Sequence, residues 1–239
     1  MSARRVLFAG VATTVIGMLV AALAFGQEIV PIKITAKATV TPNKAGTPSH
    51  PQGVRIGVDA RIQIPHDFDP PLVQTVDVWF PKGGLYNGRK FPTCSQAAMA
   101  HGGVKVCPPR SIMGHGVGTA DADGVTTHPT LTVVNGGQDK VYFYVVLTVP
   151  ARVQQPVLGT ITKVNSPRWS YKLHVNVPRN LQIVAGIPLR LERFRSTVGR
   201  GDWLATIGCP RDHRWRYHVE TSYDSGQVVN TDGSVTCRS

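Results

Sequence analysis

The chain has 239 residues and a formal net charge of +12, with 26 Lys and Arg against 14 Asp and Glu. This length suits one large β domain or two small ones and is enough to bury a real core. After the first 26 residues no long apolar run occurs, which excludes a multi-span membrane protein.

The N-terminus reads MSARRVLFAGVATTVIGMLVAALAFG. Arg4 and Arg5 form a positive n-region, an uncharged apolar h-region follows from Val6, and Ala22-Leu23-Ala24 offers a small-residue cleavage site. This is the build of a secretory signal peptide over residues 1–26. The same run is long enough to span a membrane as an uncleaved anchor, but the small residues at its end favour cleavage. The expected location is secreted or associated with the cell envelope. Residues 27–239 are read as a single β-sandwich domain, with the surroundings of Pro150 as the weakest candidate boundary.

The next segments alternate. Ile32, Ile34, Ala36, Ala38 and Val40 share one face, as do Val54, Ile56, Val58, Ala60, Ile62 and Ile64, with Arg55, Asp59, Arg61 and Gln63 opposite. Period two predicts half-buried strands. The rhythm returns at Val76, Val78 and Phe80, at Tyr171, Leu173, Val175 and Val177, and at Trp215, Tyr217 and Val219. VYFYVVLTV, from Val141, is apolar on both sides and predicts a central strand covered on both faces. Asn87-Gly88 and Asn135-Gly136 read as hairpin dipeptides. The one helical candidate is Ser95–Ala100, stopped by Gly102-Gly103. Many short strands, 18 Pro and 24 Gly predict an all-β, antiparallel sandwich (Ig-like or jelly-roll-like) with one short helix.

Four cysteines follow the leader: Cys94, Cys107, Cys209 and Cys237. In an exported chain an even count reads as a disulfide framework. Sequence alone allows three pairings, and locality favours Cys94–Cys107 with Cys209–Cys237. His101 and His115 stand close to the first pair, yet Cys94-x6-His101-x5-Cys107-x7-His115 lacks the tight ligand pairs of a zinc site. His101 falls at the end of the helix and His115 in a turn between Gly114 and Gly116. Asp121, Asp123 and Gly124 read as a polar hairpin tip rather than a calcium loop, because the later acidic ligands are missing.

The strings VTPNKAGTP, WFPKGGLYNGRKFPTCS, CPPRSIMGHGVGTADA, HPTLTVVNGG and WRYHVETSYDSGQ, in that order, resemble a recurring pattern of exported actinobacterial proteins. The resemblance runs along most of the mature chain. That family has no assigned activity, so it implies no catalytic residues. Its cysteines flank the FPTCS-to-CPP segment in the same way, which implies the local pairing.

No G-x-S-x-G, no S-x-x-K and no cofactor motif occurs. Glutamate is scarce. A polysaccharide-acting hydrolase or lyase would need Glu192 and Glu220, or one of them and another acid, about 5 to 10 Å apart. Charge is concentrated late: residues 151–239 hold 13 Lys and Arg against 6 Asp and Glu. Arg193, Arg195, Arg211, Arg214 and Arg216 are the candidate anion-binding residues. They suggest attraction to an anionic envelope polymer or surface, while export and the lack of a reader motif speak against specific nucleic acid. The expected function is that of a non-catalytic binding or structural module. The loops Lys82–Lys90 and Cys107–Gly118 are the segments on which such a module would carry its contacts.

Overall fold

A computed structural model describes residues 29–239, so the leader reading lies outside the described residues. Among the described residues, sixteen strands and one α-helix follow in chain order. The first are β1 (Lys33–Thr41), β2 (Gln52–Gly53), β3 (Arg55–Gln63), β4 (Val73–Pro81) and β5 (Gly84–Tyr86), then helix α1 (Gln96–Gly102). The middle of the chain gives β6 (Ile112–Ala122), β7 (Val125–Thr127), β8 (Thr130–Asn135), β9 (Lys140–Leu147), β10 (Val153–Lys163) and β11 (Trp169–Asn176). The last are β12 (Ile183–Val184), β13 (Ile187–Val198), β14 (Leu204–Thr206), β15 (Arg214–Tyr223) and β16 (Val228–Thr236).

The fold is an antiparallel β-sandwich made from one sheet curled on itself. Its strand order is β1-β3-β13-β6-β8-β9-β10-β11-β4-β15-β16, and β2-β14-β5 form a small second sheet. The two ends of the large sheet almost meet. The Tyr217 hydroxyl donates to the Ala36 carbonyl at 3.0 Å, and the Thr231 hydroxyl reaches the Ile34 carbonyl at 3.5 Å. Beyond them Arg238 N–H donates to Asn43 O at 2.8 Å and Ala45 N–H to Arg238 O at 2.7 Å. Near-closure hides the two edges that an open sheet would offer to other chains. The candidate boundary at Pro150 is the turn between two paired strands, β9 and β10.

The alternating patterns become strands for the stated reason. Along β1 exposed and half-buried residues alternate without a break. Inside the curl, Val133 and Val141 are buried with Met113, and Phe143, Ile161 and Leu173 pack on them. Burying a side chain such as Met113 stabilises by about 1.5–3 kcal/mol. Strand β9 is covered twice, because its other side carries Tyr142 and Tyr144 against the helix layer.

That layer is the clipped segment. Ser95 caps α1, its hydroxyl accepting from Ala98 N–H at 3.1 Å, and Gly103 ends it at φ +67°. The helix runs two residues past the predicted end, through His101 and Gly102. Met99 is fully buried among Cys94, Cys107, Val134, Tyr142 and Tyr144. The disulfides are Cys94–Cys107 and Cys209–Cys237. The helix therefore lies flat on the outward side of β8 and β9.

Two turn readings need correction. His115 lies within β6, not in a turn. Its neighbour Gly114 is glycine because a Cβ there would come within 2.2 Å of the Thr197 carbonyl of the adjacent β13. Asn87-Gly88 starts a single 3-10 turn, Gly88–Lys90, rather than a two-residue hairpin. Asn135-Gly136 does open the β8–β9 hairpin, and Asp123-Gly124, both at positive φ, make the β6–β7 tip.

Candidate functional site: two outward sheet faces

Period two sorts each outward face into rows that cross the strands at about 4.8 Å spacing. Two regions of the outward surface differ in character.

The first spans β1, β3, β13 and β6. Register places Thr35, Arg61, Arg193 and Thr119 in one row, and Lys37, Asp59, Arg195 and Val117 in the next. Lys33 and Arg55 stand on the same side of β1 and β3. Arg61 and Arg193 are directly opposed like charges, an arrangement that disfavours the sheet. Asp59 offsets part of this. Arg193 Nε donates to its Oδ1 at 2.9 Å and Nη2 to its Oδ2 at 2.5 Å. That hydrogen bond, with the fields of Arg193, Arg61 and Arg195, holds the Asp59 carboxyl below the usual carboxylate range. Asp59 thus lies among six cations, Lys33, Lys37, Arg55, Arg61, Arg193 and Arg195, while Glu192 and Asp121 stand toward the Arg190 end of the region.

The predicted arginine cluster does not form as one stripe. Arg193 and Arg195 lie on β13, Arg214 and Arg216 on β15, and β3, β1 and β16 stand between them around the seam. Arg211 is exposed in the turn before β15. Arg216 is bound by Asp212 at 2.8 Å, and Arg214 donates to Ser234 Oγ at 3.3 Å. Arg190 is structural, donating to the carbonyls of Ile64 (3.1 Å), Pro65 (2.6 Å) and Phe68 (2.8 Å) to clamp that loop. Period two could assign a side to each arginine but not the strand order that separates them.

The second region spans β11, β4, β15 and β16. One row is Lys172, Trp79, His218 and Asp232, and the next is His174, Asp77, Glu220 and Asn230. Asp77 faces outward, yet is only 6% exposed. His174 Nδ1 lies 2.7 Å from its Oδ1, and Lys172 Nζ lies 3.1 Å from the same oxygen. A carboxylate only accepts, so Nδ1 carries the proton of that bond. The rings of Trp79 and His218 are 4.9 Å apart, those of His218 and Trp169 6.5 Å. Lys172 Nζ stands 4.6 Å from the Trp79 ring centre. Sequence reasoning missed this cluster, because Asp77, Trp79, Lys172 and His174 sit on the polar side of ordinary alternating strands.

Glu192 and Glu220 are not brought together. Glu192 is on β13 and Glu220 on β15. Glu192 lines a depression of about 350 Å³ with Arg61, His66 and Arg190, among cations. Glu220 faces Asp77, whose carboxylate is already taken by Lys172 and His174. Cys94 and Cys107 are bonded to each other, so neither is a free thiolate. Of the two loops singled out, Lys82–Lys90 contains β5 of the small sheet, and Cys107–Gly118 leads into β6. No helix among the described residues is long and apolar enough to cross a membrane.

Comparison with protein-family models and with curated proteins gives no match. Two solved structures are similar to this chain, each at low identity and low TM-score. One is the N-terminal domain of the Streptococcus gordonii adhesin Sgo0707, at 12% identity and TM-score 0.32, covering 85% of this chain and 32% of that one. The other is the T6 backbone pilin of serotype M6 Streptococcus pyogenes, at 11% identity and TM-score 0.32, covering 86% of this chain and 36% of that one. The chain spans about a third of the length of each.

Proposed function

We propose that the protein works outside the cytoplasm as a non-catalytic β-sandwich module that docks on an anionic polymer of the cell envelope. The basic face of β1, β3 and β13 carries this reading. Six cations surround Asp59, two of the arginines are opposed in register, and Glu192 and Asp121 stand only toward the Arg190 end, so positive charge stays in excess on these rows. Such a face attracts polyanions and shapes their approach. Two disulfides fit an oxidising compartment, as does the resemblance to exported actinobacterial proteins.

Binding to purified lipoteichoic acid at low and high salt tests the reading. Affinity falls steeply as salt rises, because exposed charges are screened. Arg193→Glu with Arg195→Glu removes binding. Arg214→Glu with Arg216→Glu changes it far less, since β15 stands across the seam from the six cations. Salt-insensitive binding, no binding, or loss only in the Arg214 and Arg216 variant would each sink the proposal.

A further inference from the structure

The second region has a different chemistry from the basic face. Trp79, His218 and Trp169 form a run of rings on a sheet side that faces water. Tryptophan on such a surface leaves apolar area exposed, and it recurs where binding energy is concentrated. Around the rings stand fixed donors and acceptors. Asp77 locks Lys172 and His174 in place, and His218 Nδ1 meets Asp232 Oδ1 at 2.9 Å. These groups sit on rigid strands and change little on binding, which lowers the ordering cost.

Charge decides the kind of ligand. Asp77, Glu220 and Asp232 face Lys172 and two histidines, and Arg168 stands 5.9 Å from the Trp169 ring centre, so cations are not in excess here. A polyanion suited to β1, β3 and β13 finds no excess of positive charge here. A chain that offers both apolar C–H faces and many hydroxyls fits instead. Its C–H face lies against the rings, and its hydroxyls donate to the carboxylates and accept from Lys172 and the imidazoles. The two rows run across four strands, which suits a polymer rather than a small enclosed molecule. On the same outward side α1 covers Tyr142 and Tyr144 of β9, a strand separated from β11 by β10.

We infer that the outward face of β11, β4, β15 and β16 is a second binding site, taking an uncharged, hydroxyl-rich polysaccharide on the Trp79–His218–Trp169 run. The site is independent of the basic face and would let one module bridge a neutral and an anionic polymer.

Intrinsic tryptophan fluorescence reports it directly. Trp203 and Trp215 are each 2% exposed, so a surface ligand acts on the emission of Trp79 and Trp169. The probes are four uncharged hexasaccharides: cellohexaose, laminarihexaose, mannohexaose and chitohexaose. At least one shifts the emission saturably, with an affinity that high salt leaves within about twofold, as screening acts only between charges. Trp79→Ala weakens that binding about tenfold or more, the loss expected for an interface anchor. Trp79→Phe retains part of it and shows that the sheet is intact. Arg193→Glu with Arg195→Glu leaves it unchanged. The inference is overturned if none of the four probes shifts the emission, if Trp79→Ala binds like the parent protein, or if a polyanion competes at this face. A negative result here leaves lipoteichoic acid binding untouched, so the two proposals fail separately.

Discussion

The indole Nε1–H of Trp203 donates to Asn135 Oδ1 at 3.0 Å, and both side chains are buried. This bond joins the end of β8 to the segment before β14. Asn135 Nδ2 then faces the carbonyls of Gly88 (2.9 Å), Phe91 (3.1 Å) and Pro92 (3.1 Å). One fully buried amide therefore holds together the β8–β9 hairpin, the loop after β5 and the tryptophan. Gly88 completes the arrangement, since a Cβ there would collide with the Gly137 carbonyl.

Replacing Asn135 with Ala strands the Trp203 donor and the carbonyls it served. Each buried group left without a partner costs about 1–3 kcal/mol. The loss in urea unfolding is therefore expected to reach about 3 kcal/mol or more. Asn135→Asp is worse, because it places an acceptor-only, ionisable group against three carbonyls. A loss under about 1 kcal/mol in Asn135→Ala would mean that water or a shifted loop replaces the amide.

How far the sequence could be read depends on how local each signal was. Strand β1 and strand β3 were legible because alternation is a local property, and so was the double burial of β9. Ser95 and Gly103 marked α1 within two residues. Asn135 was read only as a turn residue. Its role depends on Trp203, 68 residues away, and on carbonyls 43 to 47 residues away. Asp77 was invisible for the same reason, since its partner His174 lies 97 residues on. The arginines showed the limit most plainly: period two fixed their side of the sheet, while register fixed that Arg193 faces Arg61 rather than Arg216.

Removing the Cys94–Cys107 disulfide should loosen α1 and leave the main sheet. On the chain-entropy model a loop of this size stabilises by about 3 kcal/mol. The paired variant Cys94→Ala, Cys107→Ala should therefore unfold at lower urea while keeping its β-type circular dichroism. Hydrogen exchange should quicken first over Gln96–Gly102, whose Met99 is the buried link to β9. Exchange that quickens equally in β1 would show that the clip supports the whole fold.

Alkaline pH should destabilise the protein through its buried phenols. Burial pushes the Tyr223 phenol up to about 12. Burial also raises Tyr86, with the charge of Asp139 adding to it, and raises Tyr217. A phenol with a raised folded pKa stabilises fully below its unfolded value near 10. That contribution is lost as pH climbs from about 10 through the folded value. The urea midpoint should hold up to pH 9 and fall between pH 10 and 12. Tyr223→Phe should make the fall shallower, and an unchanged slope would exclude Tyr223 as a contributor.

The seam between β1 and β16 depends on a missing side chain. A Cβ at Gly233 would sit 2.1 Å from the Tyr217 hydroxyl, the group that reaches across to Ala36. Gly233→Val should push that ring aside, break the bond to β1 and expose two strand edges. Overpacking of this kind costs about 1–3 kcal/mol. Gly208→Ala serves as the control, because a Cβ there meets nothing within 4 Å. Hydrogen exchange over Ile34–Ala38 should quicken in the Gly233 variant alone, and salt-dependent self-association is not required to see it. If both variants behave alike, Tyr217 is not what holds the curled sheet shut, and the closure rests on the Asn43–Arg238 bonds at its end.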